Sequence, residues 1–66
     1  MREHRLREFR EKAGLSRAAL GEKSGVNFRT IEKYEQGRGD MYEAQYSNLR
    51  ALADALGVKV DDFFDL

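Results

Sequence analysis

The sequence predicts an all-α fold, a compact domain of four to five short helices in which the second and third form a helix-turn-helix. The 66-residue chain contains no proline, and no strand-like alternation of apolar and polar residues persists along it. Apolar residues instead recur at helical spacing, in stretches separated by glycines. Two short stretches meet at Gly25-Val26-Asn27, a turn too short to let two helices run antiparallel. We expect one domain, residues 1–66, with the helix-turn-helix at about residues 17–37.

The first helix is expected to run from about Arg2 to Lys12. Leu6, Phe9 and Ala13 recur at helical spacing and would form its apolar face. Gly14 would end the helix, because glycine adopts the left-handed conformation of a helix C-terminus without strain.

The second helix is expected from about Arg17 to Ser24, with Leu20 buried. Ser16 precedes it as an N-cap, since its hydroxyl can accept a hydrogen bond from a free backbone N–H of the first turn. Gly25 closes the helix.

The third helix is expected from about Phe28 to Gln36, with Asn27 as its N-cap and Gly37 as its left-handed stop. Val26 and Ile31 flank the cap. An apolar pair at these two positions fixes the direction in which the chain enters the helix.

The chain after Gly37 predicts a fourth helix. An irregular stretch leads into a tyrosine-bearing segment, Met41 to Tyr46, and Ser47 is expected to cap a helix from about Asn48 to Leu56 that Gly57 ends. This helix carries an apolar stripe that we assign to the core: Leu49, Leu52, Ala53 and Leu56.

The last residues predict a final helical turn that Asp61 caps and that carries Phe63 and Phe64. Phe63, Phe64 and Leu66, or the tyrosine-bearing segment, are candidates for contact with a second subunit. The alternative is that they pack within the chain.

Charge is divided unevenly along the chain. Twelve Lys and Arg balance twelve Asp and Glu, but residues 1–38 carry a net charge of +4 and residues 39–66 carry −4. Such a molecule can present its basic end to a polyanion. Chance segregation of charge in a short chain is the alternative.

Several classes of protein are disfavoured. The chain has no cysteine, its one histidine, His4, has no ligand cluster around it, and no apolar run is long enough for a membrane span or a signal peptide. No nucleophile, base and orienting group occur together, and so small a core leaves few residues to wall a pocket. We expect a soluble cytoplasmic protein that is not an enzyme and has no metal, cofactor or small-molecule ligand.

The third helix has a polar outer face. With Ile31 as the buried direction and a rotation of about 100° per residue, Arg29, Glu32, Lys33 and Gln36 point away from the core. Phe28 and Thr30 fall at the margins of this face. Such a face is typical of a helix that enters a DNA groove, and also of an ordinary helical hairpin in solvent.

Residues 15–37 resemble the helix-turn-helix of the phage repressor and Cro family of bacterial regulators; their sequence is LSRAALGEKSGVNFRTIEKYEQG. The similarity extends to residues 6–10 before them and to residues 56–58 and 61–64 after them, and so covers almost the whole chain. The spaced residues that carry it are Leu15, Ser16, Gly25, Val26, Ile31, Glu35 and Gly37.

The resemblance implies roles for residues at matching positions. The third helix would lie in the major groove of duplex DNA. Four side chains would face base edges: Phe28, Arg29, Glu32 and Lys33. Four would contact the sugar-phosphate backbone: Arg17, Asn27, Thr30 and Arg38. Arg10 and Glu35 would form a structural ion pair.

Three of these roles follow from side-chain chemistry. Arg29 can form two hydrogen bonds to guanine, and Lys33 can contact a second guanine or a phosphate. Phe28 can pack on a thymine methyl group, with a protein contact or partial burial as the alternative.

The sequence also departs from the family pattern. Arg17 stands where glutamine is usual, which favours phosphate contact and loses the hydrogen bonds of that glutamine. Gly21 replaces the usual alanine, which predicts a soft second helix, and Ser24 replaces an apolar residue. The loop after Gly37 is longer than usual and lacks a proline; its tyrosines would cover the core or extend a contact with DNA or a second subunit.

The sequence therefore predicts a sequence-specific duplex-DNA-binding regulator of transcription, a repressor of bacterial or phage origin. One recognition helix reads few base pairs, so we expect a homodimer on a palindromic operator. Two alternatives remain open at this point. One is an antitoxin or a restriction-modification controller with the same fold, and the other is a helical protein-interaction module that does not bind DNA.

Overall fold

The computed structural model describes residues 3–65. This part of the chain contains four α-helices and two 3₁₀ helices and no strand, which confirms the predicted all-α class. In chain order they are α1 (Leu6–Lys12), α2 (Arg17–Ser24), α3 (Phe28–Glu35), a 3₁₀ turn (Met41–Glu43), α4 (Tyr46–Leu56) and a C-terminal 3₁₀ helix (Val60–Phe64).

The first helix begins later than predicted. The start at Arg2 is wrong for the described residues: residues 3–5 are not helical, and Arg2 itself lies outside the described part. A tertiary hydrogen bond explains the late start, since the Arg5 N–H donates to the Phe63 carbonyl at 2.7 Å. His4 then takes the place of a cap, because its Nδ1 accepts the Leu6 N–H at 3.3 Å.

The apolar face of α1 is also shorter than predicted. Leu6 is buried and Phe9 packs against the core, but Ala13 is exposed. Ala13 lies at the C-cap, beyond the last helical residue, and Gly14 follows with a positive φ of 72°. The prediction that Ala13 shares the buried face is therefore wrong.

The second and third helices begin where the caps predicted. The Ser16 hydroxyl accepts the Ala19 N–H at 3.0 Å, and the Asn27 side-chain oxygen accepts the Arg29 N–H at 2.8 Å. Gly25 ends α2 in the left-handed conformation, and its N–H donates to the Gly21 carbonyl.

The end of α3 lies one residue before the predicted Gln36, which is its C-cap. Gly37 has the predicted positive φ of 76°. Two hydrogen bonds close the helix, from the Gly37 N–H to the Tyr34 carbonyl and from the Arg38 N–H to the Lys33 carbonyl. This is a Schellman motif, and it fixes the backbone of Arg38 against the last turn of α3.

The N-terminus of α4 was predicted incorrectly. The N-cap is Gln45, and Ser47 lies inside the first turn. The Gln45 carbonyl accepts the N–H groups of Asn48 and Leu49, so the turn closes two residues earlier than expected. Since no side chain caps this end, a search for a capping Ser, Thr, Asp or Asn could not locate it.

The C-terminal 3₁₀ helix has a different cap from the one expected. Its N-cap is Lys59, whose N–H donates to the Asp62 side chain at 3.0 Å, so the prediction that Asp61 caps this turn is wrong. Phe63 is completely buried and therefore does not contact a second subunit. Phe64 packs on Tyr42 with ring centroids 4.4 Å apart, and Leu66 lies outside the described residues.

The core lies where α2 packs against both α3 and α4, with the C-terminal 3₁₀ helix against α4. Its buried side chains come from every α-helix: Leu6, Leu20, Val26, Ile31, Tyr34, Met41, Leu49, Leu52, Ala53 and Phe63. Met41 shows that part of the tyrosine-bearing segment covers the core. Within residues 3–65, no helix has the length and apolar character that crossing a membrane requires.

Candidate nucleic-acid interface

The turn between α2 and α3 depends on a close approach of the two helices. A β-carbon at Gly21 would lie 3.0 Å from the Val26 carbonyl oxygen and 3.3 Å from the Phe28 Cβ. Such distances are tighter than side chains tolerate unless a neighbour moves. Gly21 therefore lets α2 pack against the start of α3, as expected of a small residue placed where two backbones approach.

The outer face of α3 lies where helical geometry predicted. Ile31 and Tyr34 are buried on the inner side. One open groove is lined by the four residues predicted to face base edges together with Arg38: Phe28, Arg29, Glu32, Lys33 and Arg38. Asn27 is exposed beside this groove, and Thr30 is half-buried. The fold thus gathers on one surface residues that lie up to ten positions apart.

Two cations of the groove have no anionic partner among residues 3–65. In the described part of the chain, neither Arg29 nor Lys33 forms an ion pair with a carboxylate. Arg29 lies with its guanidinium carbon 5.9 Å from the centre of the Phe28 ring. The aliphatic stem of Lys33 lies against Gly39, where a β-carbon would be 3.2 Å from the lysine Cδ. Both charges are available to an external anion.

Phe28 is an apolar residue on this polar surface. It is the first residue of α3, and its side chain is 45% exposed. Its ring lies between two open grooves, one beside Gly21 and Gly25 and the other beside Arg29 and Lys33. An exposed ring at this position can contact a partner, either a thymine methyl group or an apolar protein surface.

Arg10 and Glu35 are brought together between α1 and α3. Their side chains form two hydrogen bonds, Arg10 Nε to Glu35 Oε2 at 2.7 Å and Arg10 Nη2 to Glu35 Oε1 at 3.1 Å. Arg10 Nη1 also donates to the Leu15 carbonyl at 2.7 Å. The Glu35 side chain is 0% exposed and that of Arg10 is 11% exposed, so this pair is enclosed by protein.

The ionisation of Glu35 depends on its arginine partners. Burial raises the pKa of this carboxyl, but hydrogen bonds from Arg10 and Arg17 outweigh burial and hold the pKa below its ordinary value. The same contact raises the pKa of Arg10. Glu35 is therefore a buried carboxylate that its two arginines keep charged.

Arg17 is partly engaged within the chain. Its Nε lies 2.9 Å from Glu35 Oε1, and its Nη1 lies 3.6 Å from Glu32 Oε2. The sequence predicted Arg17 as a backbone contact and did not anticipate either partner. Glu32 and Glu35 are spaced one helical turn apart, which is the one signal in the sequence that both face the same neighbouring element.

Glu32 forms a second ion pair through its other carboxylate oxygen. Its Oε1 lies 3.5 Å from Arg38 Nη2. The carboxylate thus lies between the first residue of α2 and the first residue after the α3 stop at Gly37, with one oxygen directed to each arginine. The sequence predicted Glu32 as a base contact, and nothing in the spacing of Arg38 indicated this bridge.

His4 is a further contact that sequence reasoning missed. Its Nε2 lies 3.1 Å from the Tyr34 carbonyl oxygen while its Nδ1 accepts from Leu6. Since Nδ1 acts as the acceptor, Nε2 carries the proton and donates to Tyr34. His4 thereby links the start of α1 to the last turn of α3.

This geometry defines the class of protein. Two short helices meet at a tight glycine turn, and the second presents cations in an open groove. In agreement, residues 4–63 match the profile of a helix-turn-helix domain family. The chain belongs to this XRE-like helix-turn-helix family of DNA-binding domains, which is non-enzymatic.

Three curated relatives illustrate the family. The chain is 38% identical to an uncharacterized HTH-type transcriptional regulator of Sinorhizobium fredii over 61 residues, 92% of this chain and 41% of that protein. It is 38% identical over 60 residues to a putative HTH-type transcriptional regulatory protein of Pyrococcus furiosus, 91% of this chain and 19% of the relative. An uncharacterized transcriptional regulator in the ATPase CF(0) region of Rhodospirillum rubrum is also 38% identical over 60 residues, 91% of this chain and 53% of the relative.

The chain therefore spans between about a fifth and about a half of the length of these relatives. They include an archaeal protein, so the family extends beyond the bacterial and phage origin that the sequence suggested. No solved structure matches the chain significantly.

Proposed function

We propose that the chain binds duplex DNA in a sequence-specific manner and regulates transcription, with α3 inserted in the major groove. The observation that carries this proposal is the outer face of α3, where Arg29 and Lys33 lie in one groove without a carboxylate partner among the described residues. A groove that gathers cations with no internal partner suits a polyanion whose base edges present acceptors.

The proposed contacts divide into two kinds. Arg29 and Lys33 read base edges, and Phe28 packs on a thymine methyl group. Asn27, Thr30 and Arg38 contact the DNA backbone and set the position of the helix, with Arg17 joining them at the start of α2. Arg10 and Glu35 hold α1 against the end of α3 and do not touch DNA.

A homodimer would supply the specificity that one helix cannot. Each α3 reads a few base pairs, and two copies on a palindrome would recognise half-sites about one helical turn apart. Tyr46, in the tyrosine-bearing segment, is 64% exposed and is the best candidate for a subunit contact among the residues described. The regulator would act in the cytoplasm as a repressor, by occupying DNA that the transcription machinery needs.

The test is selection of bound sequences from random duplex DNA, titrated from low to moderate salt. We expect enrichment of a palindrome with half-sites about one turn apart, and an affinity that falls steeply with salt. Sedimentation of the protein on the selected site measures the number of subunits. A single subunit on a palindromic site would contradict the dimer, and absence of binding even at low salt would contradict the function itself.

A second function is favoured by one observation, the exposed ring of Phe28 on an otherwise polar face. A helical interaction module would use this ring to contact an apolar protein surface. The selection separates the two functions, because a pure interaction module enriches no DNA sequence. Phe28→Ala should reduce DNA binding without abolishing it, whereas it should abolish the binding of a pure interaction module to its protein partner.

A further inference from the structure

Glu32 occupies a position that links the two kinds of contact in the proposed interface. It lines the groove of α3 together with Phe28, Arg29 and Lys33, where base edges would lie. At the same time its two oxygens face Arg17 and Arg38, which are assigned to phosphates. One carboxylate is therefore paired with a cation from the start of α2 and with another from the residues that follow α3.

These two ion pairs are suited to exchange. The distances of 3.6 Å to Arg17 and 3.5 Å to Arg38 are long for charged hydrogen bonds, and the Glu32 side chain is 34% exposed. Partly exposed pairs of this kind are weak, so a phosphate oxygen can replace the carboxylate. By contrast Arg17 Nε remains on the buried Glu35 at 2.9 Å, which anchors the side chain while its outer nitrogen changes partner.

When phosphate oxygens replace Glu32 as the partners of Arg17 and Arg38, the Glu32 carboxylate needs a new hydrogen-bond donor. In the major groove the donors on base edges are the amino groups of cytosine N4 and adenine N6, whereas guanine O6, thymine O4 and purine N7 are acceptors that repel a carboxylate. An adenine or cytosine facing Glu32 therefore satisfies the carboxylate, whereas a guanine or thymine in the same place presents only acceptors.

We propose that Glu32 couples base recognition to phosphate binding. This inference rests on the proposed function and names a specificity-determining residue within it. On a site that places adenine or cytosine against Glu32, the carboxylate moves to the base and releases Arg17 and Arg38 to the phosphates. On other sequences Glu32 keeps the two arginines, and sequence-independent affinity stays low. A repulsive element of this kind lowers binding to wrong partners more than it lowers binding to the right one.

The experiment compares Glu32→Gln with the wild type on the selected operator and on random duplex DNA. The glutamine keeps the size of the side chain and removes its charge. We expect affinity for random DNA to rise about threefold or more at low salt, and its salt slope to steepen by about one contact. The ratio of operator to random affinity should fall about tenfold, and the preference should shift toward adenine, with which glutamine forms two hydrogen bonds.

Asp54→Asn is the matched control. Asp54 pairs with Arg50 on α4 at 3.2 Å, so the substitution also removes one negative charge and releases one arginine, but outside the groove. We expect this control to leave the affinity ratio unchanged. Equal changes in the ratio from both variants would show that net charge alone acts, and would overturn the proposal.

Arg38→Ala tests whether Glu32→Gln raises the affinity for random DNA by releasing the arginines. In the Arg38→Ala background, Glu32→Gln should keep only about half of its gain on random DNA, because Arg17 alone is then left to be released; non-additivity of this kind is expected of residues in contact. If Glu32→Gln raised the affinity for random DNA in that background as much as it does in the wild type, the proposed coupling would be overturned. Thermal melting of each variant confirms that the fold is intact. If wild-type protein binds no DNA the proposed function fails, whereas an unchanged affinity ratio for Glu32→Gln overturns this inference alone.

Discussion

The two sides of α3 differ in how their charges are paired. On the internal side the buried Glu35 lies between two arginines of the chain itself. On the open side Arg29 and Lys33 have no carboxylate partner within residues 3–65, and Glu32 beside them is paired with two other arginines. The anions of this helix are thus satisfied internally and hold it in place, whereas part of its cations remain for an external ligand. A net charge of zero over the whole chain conceals this division.

The largest effect should come from the internally satisfied side. Replacing Glu35 by alanine would leave Arg10 charged, almost fully enclosed and without its anion. Loss of one member of a buried pair costs about 3–5 kcal/mol, so Glu35→Ala should lower the free energy of unfolding by an amount near this range. Denaturant titration measures the loss.

The matched control for Glu35 is Glu11, whose pair with Arg7 is exposed on α1. Glu11→Ala should leave the denaturation midpoint almost unchanged. Glu35→Gln should fall between the two, since its amide still accepts hydrogen bonds from the arginines. If Glu35→Ala were as harmless as Glu11→Ala, the internal side of α3 would not hold the helix.

The next largest effect should come from the open side. Arg29→Ala should weaken binding to the selected operator by about 1–3 kcal/mol and relax the preference at one base pair, because a bidentate contact to guanine is lost. Selection of bound sequences with the variant measures both changes.

Arg38→Ala serves as the contrast for Arg29→Ala, since the Arg38 side chain is 63% exposed. Loss of this phosphate contact should weaken binding to the operator and reduce its salt slope by about one, without relaxing the preference at any single base pair. Arg17 is less suitable for this purpose, because its guanidinium also neutralises the buried Glu35. A loss for Arg29→Ala that is equal on every sequence would refute the assignment of Arg29 as a base contact.

Acid should act on the internal side of α3 through Glu35. The pKa of Glu35 is lower in the folded protein than its ordinary value of 4.5, because Arg10 and Arg17 bind the charged form. The resulting stability is fully present above that ordinary value and is lost as pH falls through the lowered pKa. Unfolding free energies of wild type and Glu35→Gln should therefore converge as pH decreases below about 4.5. A constant difference down to pH 2 would exclude ionisation of Glu35 as the source.

The sequence predicted the helix-turn-helix almost to the residue because its ends are determined by local chemistry. Ser16 and Asn27 accept backbone N–H groups, and Gly25 and Gly37 adopt left-handed conformations. The ends that were predicted incorrectly lack such determinants. The start of α1 follows from a hydrogen bond between Arg5 and Phe63, which lie 58 positions apart in the chain.

The candidate site was predictable to a similar degree. Helical periodicity alone places Arg29 and Lys33 on the outer face. The bridges of Glu32 to Arg17 and Arg38 join three separate segments, and no spacing within one helix encodes them. Periodicity therefore locates a surface, while the pairing of charges across that surface depends on how the helices pack.

Gly21 offers the smallest but most direct test of that packing. Alanine at this position gains about 1 kcal/mol of helix propensity, but its Cβ would approach the Val26 carbonyl oxygen to 3.0 Å and displace the start of α3 by a few tenths of an ångström. We expect Gly21→Ala to stabilise the protein by clearly less than about 1 kcal/mol and to weaken operator binding. Ala18→Gly calibrates propensity on the same helix at an exposed position. If Gly21→Ala gained as much stability as Ala18→Gly lost, with operator affinity unchanged, the contact between α2 and the start of α3 would not constrain the open side of the helix.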